Sequence, residues 1–204
     1  MINSNAYSSF VQQINAEGSE RTKGYNPFLF EEIYEYERED VEELIWDTFT
    51  NKNDCELAIF MPQLKKYDGL TALKKKMSFF PFESYANLCI LIALYKATYE
   101  KEYFDLLQKI YAVAGKERLA CIDELSYIAK QKQVYEFLMQ VYLNDSDETV
   151  RSTAMHGILW ADGRLDELDD MMELISKMDL LKKFDSDSID KRRKNIEDYR
   201  AGQI

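Results

Sequence analysis

The strongest constraint on this chain is self-similarity at a shift of about 32 residues. The shift places Cys89 over Cys121, and Ile90 over Ile122 and Ala154. It places Ala97 over Ala129 and Ala161, Tyr103 over Tyr135, Leu107 over Met139 and Met171, and Ile110 over Tyr142 and Leu174. Within a unit the large apolar residues recur every third or fourth position, the period of one helix face. Leu165, Leu168, Met171, Met172, Ile175 and Met178 show this most clearly. Each unit therefore reads as two helices joined by a short turn: 84–98 with 101–114, 116–130 with 132–143, and 147–161 with 164–178. One such pair cannot bury both its apolar faces, so successive pairs must stack.

The repeat fades upstream, where Lys75 would meet Leu107. Residues 1–24 read as a leader helix, capped by Asn3 or Ser4 and carrying Tyr7, Phe10, Val11 and Ile14 on one face. Glu17-Gly18-Ser19 and Thr22-Lys23-Gly24 are expected to break it. Residues 25–82 read as an irregular helical cap. Asn26-Pro27 opens one helix, Asp40 caps a second, Pro62 interrupts a third, and Asp68-Gly69 starts a fourth. Phe79-Phe80-Pro81-Phe82 is a bend whose aromatics must be covered. Residues 179–204 form a C-terminal helix capped in Ser186-Asp187-Ser188. Its Lys191-Arg192-Arg193-Lys194 quartet sits among acids and reads as a solvated face.

Residues 144–163 carry an acidic turn with Asp145 and Asp147, then Val150-Arg151, Ala154, Leu159 and a closing Gly163. This segment resembles a HEAT-type repeat. The resemblance implies an all-α fold, a right-handed α-α superhelix of stacked helical hairpins. In it the Asp caps the helix, the Arg bonds turn carbonyls or a neighbouring Asp, and the Ala keeps helices close. The other units have drifted, with Arg118-Leu119 and Ala86-Asn87 at the Val-Arg positions.

Composition agrees with a helical, globular chain. Hydrophobic residues make up 46%, and only 7 Gly and 3 Pro are present, too few for the turns of a sheet-rich fold. The net charge of −11 opposes nucleic acid and anionic membrane surfaces and favours solubility or a basic partner. Cys55, Cys89 and Cys121 are an odd, dispersed set, not a disulfide framework, and His156 is the lone histidine. No zinc ligand set, phosphate loop or nucleophile elbow is present, and no cofactor is expected. No signal peptide is visible and no apolar run spans a bilayer, so a cytoplasmic location is expected.

The carboxylates crowd two segments, Glu31 to Glu43 and Asp162 to Glu173, while Lys65, Lys66, Lys74, Lys75 and Lys76 lie elsewhere. This asymmetry marks Glu31, Glu35, Glu39 and Glu42, with Asp162, Asp166, Asp169 and Asp170, as candidate contacts for a basic partner. The expected function is a non-catalytic protein–protein interaction module with no small-molecule substrate. In size, charge and architecture the chain resembles the immunity proteins that neutralise bacterial toxins. A structural adaptor or regulatory subunit of an enzyme is the second reading, and a carboxylate-dependent hydrolase the third.

Overall fold

The structure, a computed structural model, describes residues 3–16, 24–113, 115–168 and 170–204. Among them are twelve α-helices, one 3-10 run and no strand. The fold is all-α. The chain divides into two compact units, Met1–Lys109 and Ile110–Ile204.

In the first unit, α1 (Asn5–Ile14) is capped by Ser4, whose hydroxyl accepts the Tyr7 N–H at 3.0 Å. The break expected at residues 17–23 lies outside the described residues. Asn26 caps α2 (Pro27–Glu32), with Pro27 in its first turn. The next helix, α3 (Glu35–Asn51), starts at Tyr34, ahead of the expected cap Asp40, which is exposed within the helix. A buried carboxylate fixes this start. Glu37 accepts the Ser4 N–H at 2.6 Å, the Ser4 hydroxyl at 2.7 Å and the Tyr34 N–H at 3.3 Å. Pro62 does not interrupt the next element but lies within a 3-10 run, Cys55–Gln63. Phe60 in that run packs on Phe10 and Phe30, with ring centroids 5.2 and 5.1 Å away. Asp68 caps α4 (Gly69–Met77). A Cβ at Gly69 would stand 1.8 Å from the Met61 carbonyl oxygen, so glycine alone lets α4 lie this close to the 3-10 run. The bend at Phe79-Phe80-Pro81-Phe82 is not covered as expected: Phe79 is 67% and Phe82 38% exposed. Then α5 (Tyr85–Thr98) and α6 (Lys101–Val113) form a hairpin, Tyr95 stacking on Phe104 at 5.4 Å.

The second unit is built on α7 (Glu117–Ser126), α8 (Lys132–Asn144) and α9 (Glu148–Ala161), with α9 packed on both others. Helix α9 comes close to α7 at Gly157, where a Cβ would lie 2.9 Å from the Ser126 Cα. The small-residue column of the repeat is not uniform: Ala129 is buried, Ala161 half-buried and Ala97 exposed. The acidic turn works as its residue types imply. Asp147 accepts the Thr149 and Val150 N–H groups, and Arg151 donates to the Asp145 and Ser146 carbonyls at 3.1 and 2.9 Å.

Regularity then stops. No helix spans 164–178; the helices are α10 (Met171–Ser176), α11 (Met178–Phe184) and α12 (Ile189–Arg200), the last capped by Ser188. Leu107 and Met139 of the repeat column are buried, whereas Met171 is 66% exposed. The basic quartet on α12 is not wholly solvated. Arg192 is 5% exposed, and its guanidinium donates to the carbonyls of Leu143, Ser186 and Asp187. It thereby closes the orphan carbonyl end of α8 and fixes the turn before α12.

Candidate partner-binding surfaces

The two acidic segments have different fates. On α3, the lysines that look segregated in sequence come back onto the acids. Lys65 reaches Glu35 at 2.6 Å, and Lys66 reaches Glu39 at 2.8 Å and Glu43 at 3.9 Å. Glu42 is 2% exposed and accepts the backbone N–H groups of Lys65 and Lys66 at 2.9 and 3.0 Å. The hydrogen bond and charge of Lys65 hold the Glu35 carboxyl below its ordinary value, and Lys66 does the same for Glu39. Of the four candidates on this side, Glu31 is exposed, Glu35 and Glu39 are exposed but ion-paired, and Glu42 lies inside the fold.

In the second unit Asp162 is the C-cap of α9 and accepts the hydroxyls of Tyr135 at 3.0 Å and Tyr199 at 2.8 Å. Both phenols are pushed up, Tyr135 to about 12, first by burial and then by the Asp162 carboxylate. Asp170 caps α10 through the Met172 and Glu173 N–H groups. Glu173 accepts the N–H groups of Asp166 and Glu167 at 2.7 and 2.8 Å, so it shapes the loop while the Asp166 and Glu167 side chains stay exposed. Asp169 lies outside the described residues.

Between α9 on one side and α10 and α11 on the other runs an open groove of about 340 Å³. Met155, Met171, Leu174, Met178 and Leu181 give it an apolar lining, with Tyr142 and Phe184 also contributing. Tyr142 donates its hydroxyl to the Phe184 carbonyl at 2.8 Å, which joins α8 to the end of α11. Beside the groove stand Met172 and Ile175, 74% and 54% exposed, with Met171 and Met178 at 66% and 42%. Isolated exposed apolar side chains are ordinary; here four fall between residues 171 and 178.

Charges on the groove nearly cancel. Glu148 and Asp185 line it with Lys182 and Arg151, and Arg151 is already paired with Asp187 at 3.0 Å. The surplus lies on the flank, where Asp166, Glu167, Asp170 and Glu173 surround a second, more open concavity shared with Met172 and Lys177. Residues 162–190 hold ten acids and four bases. His156 lines the groove, its basicity lowered by burial, with the Ser152 hydroxyl 3.5 Å from Nε2.

Burial pushes the Cys55 thiol up to about 11 and the Cys121 thiol to about 12, which suppresses the thiolate. Among the described residues no group of three or more His, Cys, Asp or Glu is placed to hold a metal ion. No helix of the described residues is long and apolar enough to cross a membrane.

The methionine ledge was hidden in the sequence by the repeat itself, which aligned Met171 with the core positions Leu107 and Met139. One signal ran the other way. Asp170 with Glu173 three residues on is a helix-start pattern, and it places the start at Met171 rather than at Arg164.

No protein-family model matches the chain, and neither a curated protein nor a solved structure is significantly similar to it.

Proposed function

We propose that this protein is a non-catalytic binding module for a basic protein partner, and that the partner docks on the methionine-lined groove of the second unit. The observation behind this reading is the exposure of Met171, Met172, Ile175 and Met178 beside an open apolar groove. Apolar surface left in water forgoes about 25 cal/mol per Å², which a partner that covers it recovers. Methionine suits such a surface because its unbranched thioether adapts to different shapes. The acidic flank supplies charge attraction, which acts mainly on encounter rate and specificity.

The narrower reading is an immunity protein that neutralises a basic toxin, in keeping with the net charge of −11. An adaptor or regulatory subunit would use the same groove. A reducing compartment such as the cytoplasm suits three cysteines held as thiols. A hydrolytic role draws little support from carboxylates that cap helices or accept backbone N–H groups, as Glu42, Asp147, Asp170 and Glu173 do.

The test is affinity capture from the native host, comparing the wild type with two variants. Met171→Ser, Ile175→Ser and Met178→Ser together should abolish capture of the partner. Glu35→Lys with Glu39→Lys should leave it nearly intact. Loss of the partner in the second variant alone would move the site to α3.

A further inference from the structure

Resting on that reading, we infer that the groove's guest is an amphipathic α-helix with an apolar face and a basic edge. The first argument concerns the guest's backbone. Each peptide group buried without a hydrogen-bond partner costs free energy comparable to a lost bond. The groove walls α9, α10 and α11 are helices whose backbone groups are engaged largely in helical bonds and caps. Among the described residues there is no strand edge on which an extended peptide could be added. Polar side chains on the groove, among them Ser152, His156 and Lys182, are too few to satisfy an extended chain. A helix meets the requirement alone, since it brings its backbone bonds with it.

The second argument concerns side chains. Met155, Met171, Leu174, Met178 and Leu181 offer an apolar trough open to solvent, so the guest needs one apolar face and one wet face. The charge balance inside the trough sets no sign. The flank does, with Asp166, Glu167, Asp170 and Glu173 against the single Lys177. Basic residues along one edge of the guest meet that flank. Thioether walls adapt to several apolar sequences, so recognition reads the pattern of the helix more than its sequence.

A Leu/Lys peptide of roughly 18 residues, five turns at 3.6 residues per turn, tests this directly. Three controls accompany it: a Leu/Glu version, a version of the same composition with no apolar face, and one with strand-period alternation. The methionine methyl resonances of the full chain report where each peptide binds, and circular dichroism reports the peptide's helicity. The Leu/Lys helix should shift the Met155, Met171 and Met178 methyls, leave Met61 of the first unit unmoved, and gain helicity on binding. The Leu/Glu peptide should bind at least about tenfold more weakly at low salt, where the Debye length is about 30 Å. Lys182→Glu should tighten the Leu/Lys peptide, and Met171→Ser with Met178→Ser should release it.

Equal binding of the faceless or strand-period peptide overturns the helical guest, and equal binding of the Leu/Glu peptide overturns the basic edge. Self-association of the free protein with the same methyls protected would make a second copy the occupant, and the proposal falls. If host capture depends on the ledge but no helical peptide moves these methyls, the binding module stands and this inference fails. If capture also ignores the ledge, both fail.

Discussion

Helix α3 and the stretch 162–190 are both crowded with acids, yet the fold treats them oppositely. On α3 the acids are used in folding: Glu37 anchors α1, Glu42 holds the 65–66 backbone, and Glu35 and Glu39 each carry a lysine. On 162–190 the fold uses some acids locally, as caps or tyrosine acceptors, and leaves Asp166, Glu167 and Asp179 exposed next to exposed methionines. Acid density by itself therefore says little about docking. What sets 162–190 apart is exposed methionine and exposed acid beside an open groove.

The sharpest way to break the comparison is to remove what holds each region. Arg192→Met deprives the Leu143, Ser186 and Asp187 carbonyls of a buried guanidinium. It should cost about 3 kcal/mol in urea denaturation. Glu42→Ala leaves two N–H groups unpaired under a buried site and should cost about 2 kcal/mol. By contrast, Asp166→Asn with Glu167→Gln should change stability by less than about 0.5 kcal/mol. A loss there equal to that of Glu42→Ala would erase the distinction between the two segments.

A smaller effect concerns acid. Glu35 and Glu39 have folded-state pKa values below their ordinary 4.5 because of Lys65 and Lys66. A carboxyl depressed on folding stabilises above its unfolded value, and that contribution fades as pH falls through the folded value. Melting temperature should therefore drop below about pH 4.5, and Glu35→Gln with Glu39→Gln should flatten that slope. These pairs are exposed and screened, so the effect is small. An unchanged slope would mean the lysines do not hold these acids in solution.

Much of this arrangement was legible in sequence wherever local chemistry decides. Ser4, Asn26, Asp68, Asp147 and Ser188 cap helices as their residue types require, and Phe10, Ile90, Ile122 and Ala154 are buried as periodicity implies. What depends on contacts far along the chain was not. Nothing local says that Lys65 and Lys66 return to α3, that Glu42 is buried, or that Arg192 on a polar helix faces inward. The third repeat misled for a related reason. Periodicity reports which residues share a face, and not whether a neighbour exists to cover that face. Leu107 and Met139 have such a neighbour, while Met171 stands in solvent.

Those methionines also differ from their buried counterparts toward oxidants. Met61 and Met139 are buried in the interior, while the thioethers of Met171, Met172 and Met178 stand in water. Peroxide or hypochlorite would meet the exposed sulfurs first and convert each to a polar, chiral sulfoxide. The groove would lose its apolar character while the core kept its packing. The damage is chemically reversible, because sulfoxide reductases restore the thioether. A surface assembled from methionine therefore carries a redox sensitivity that the same surface built from leucine would lack.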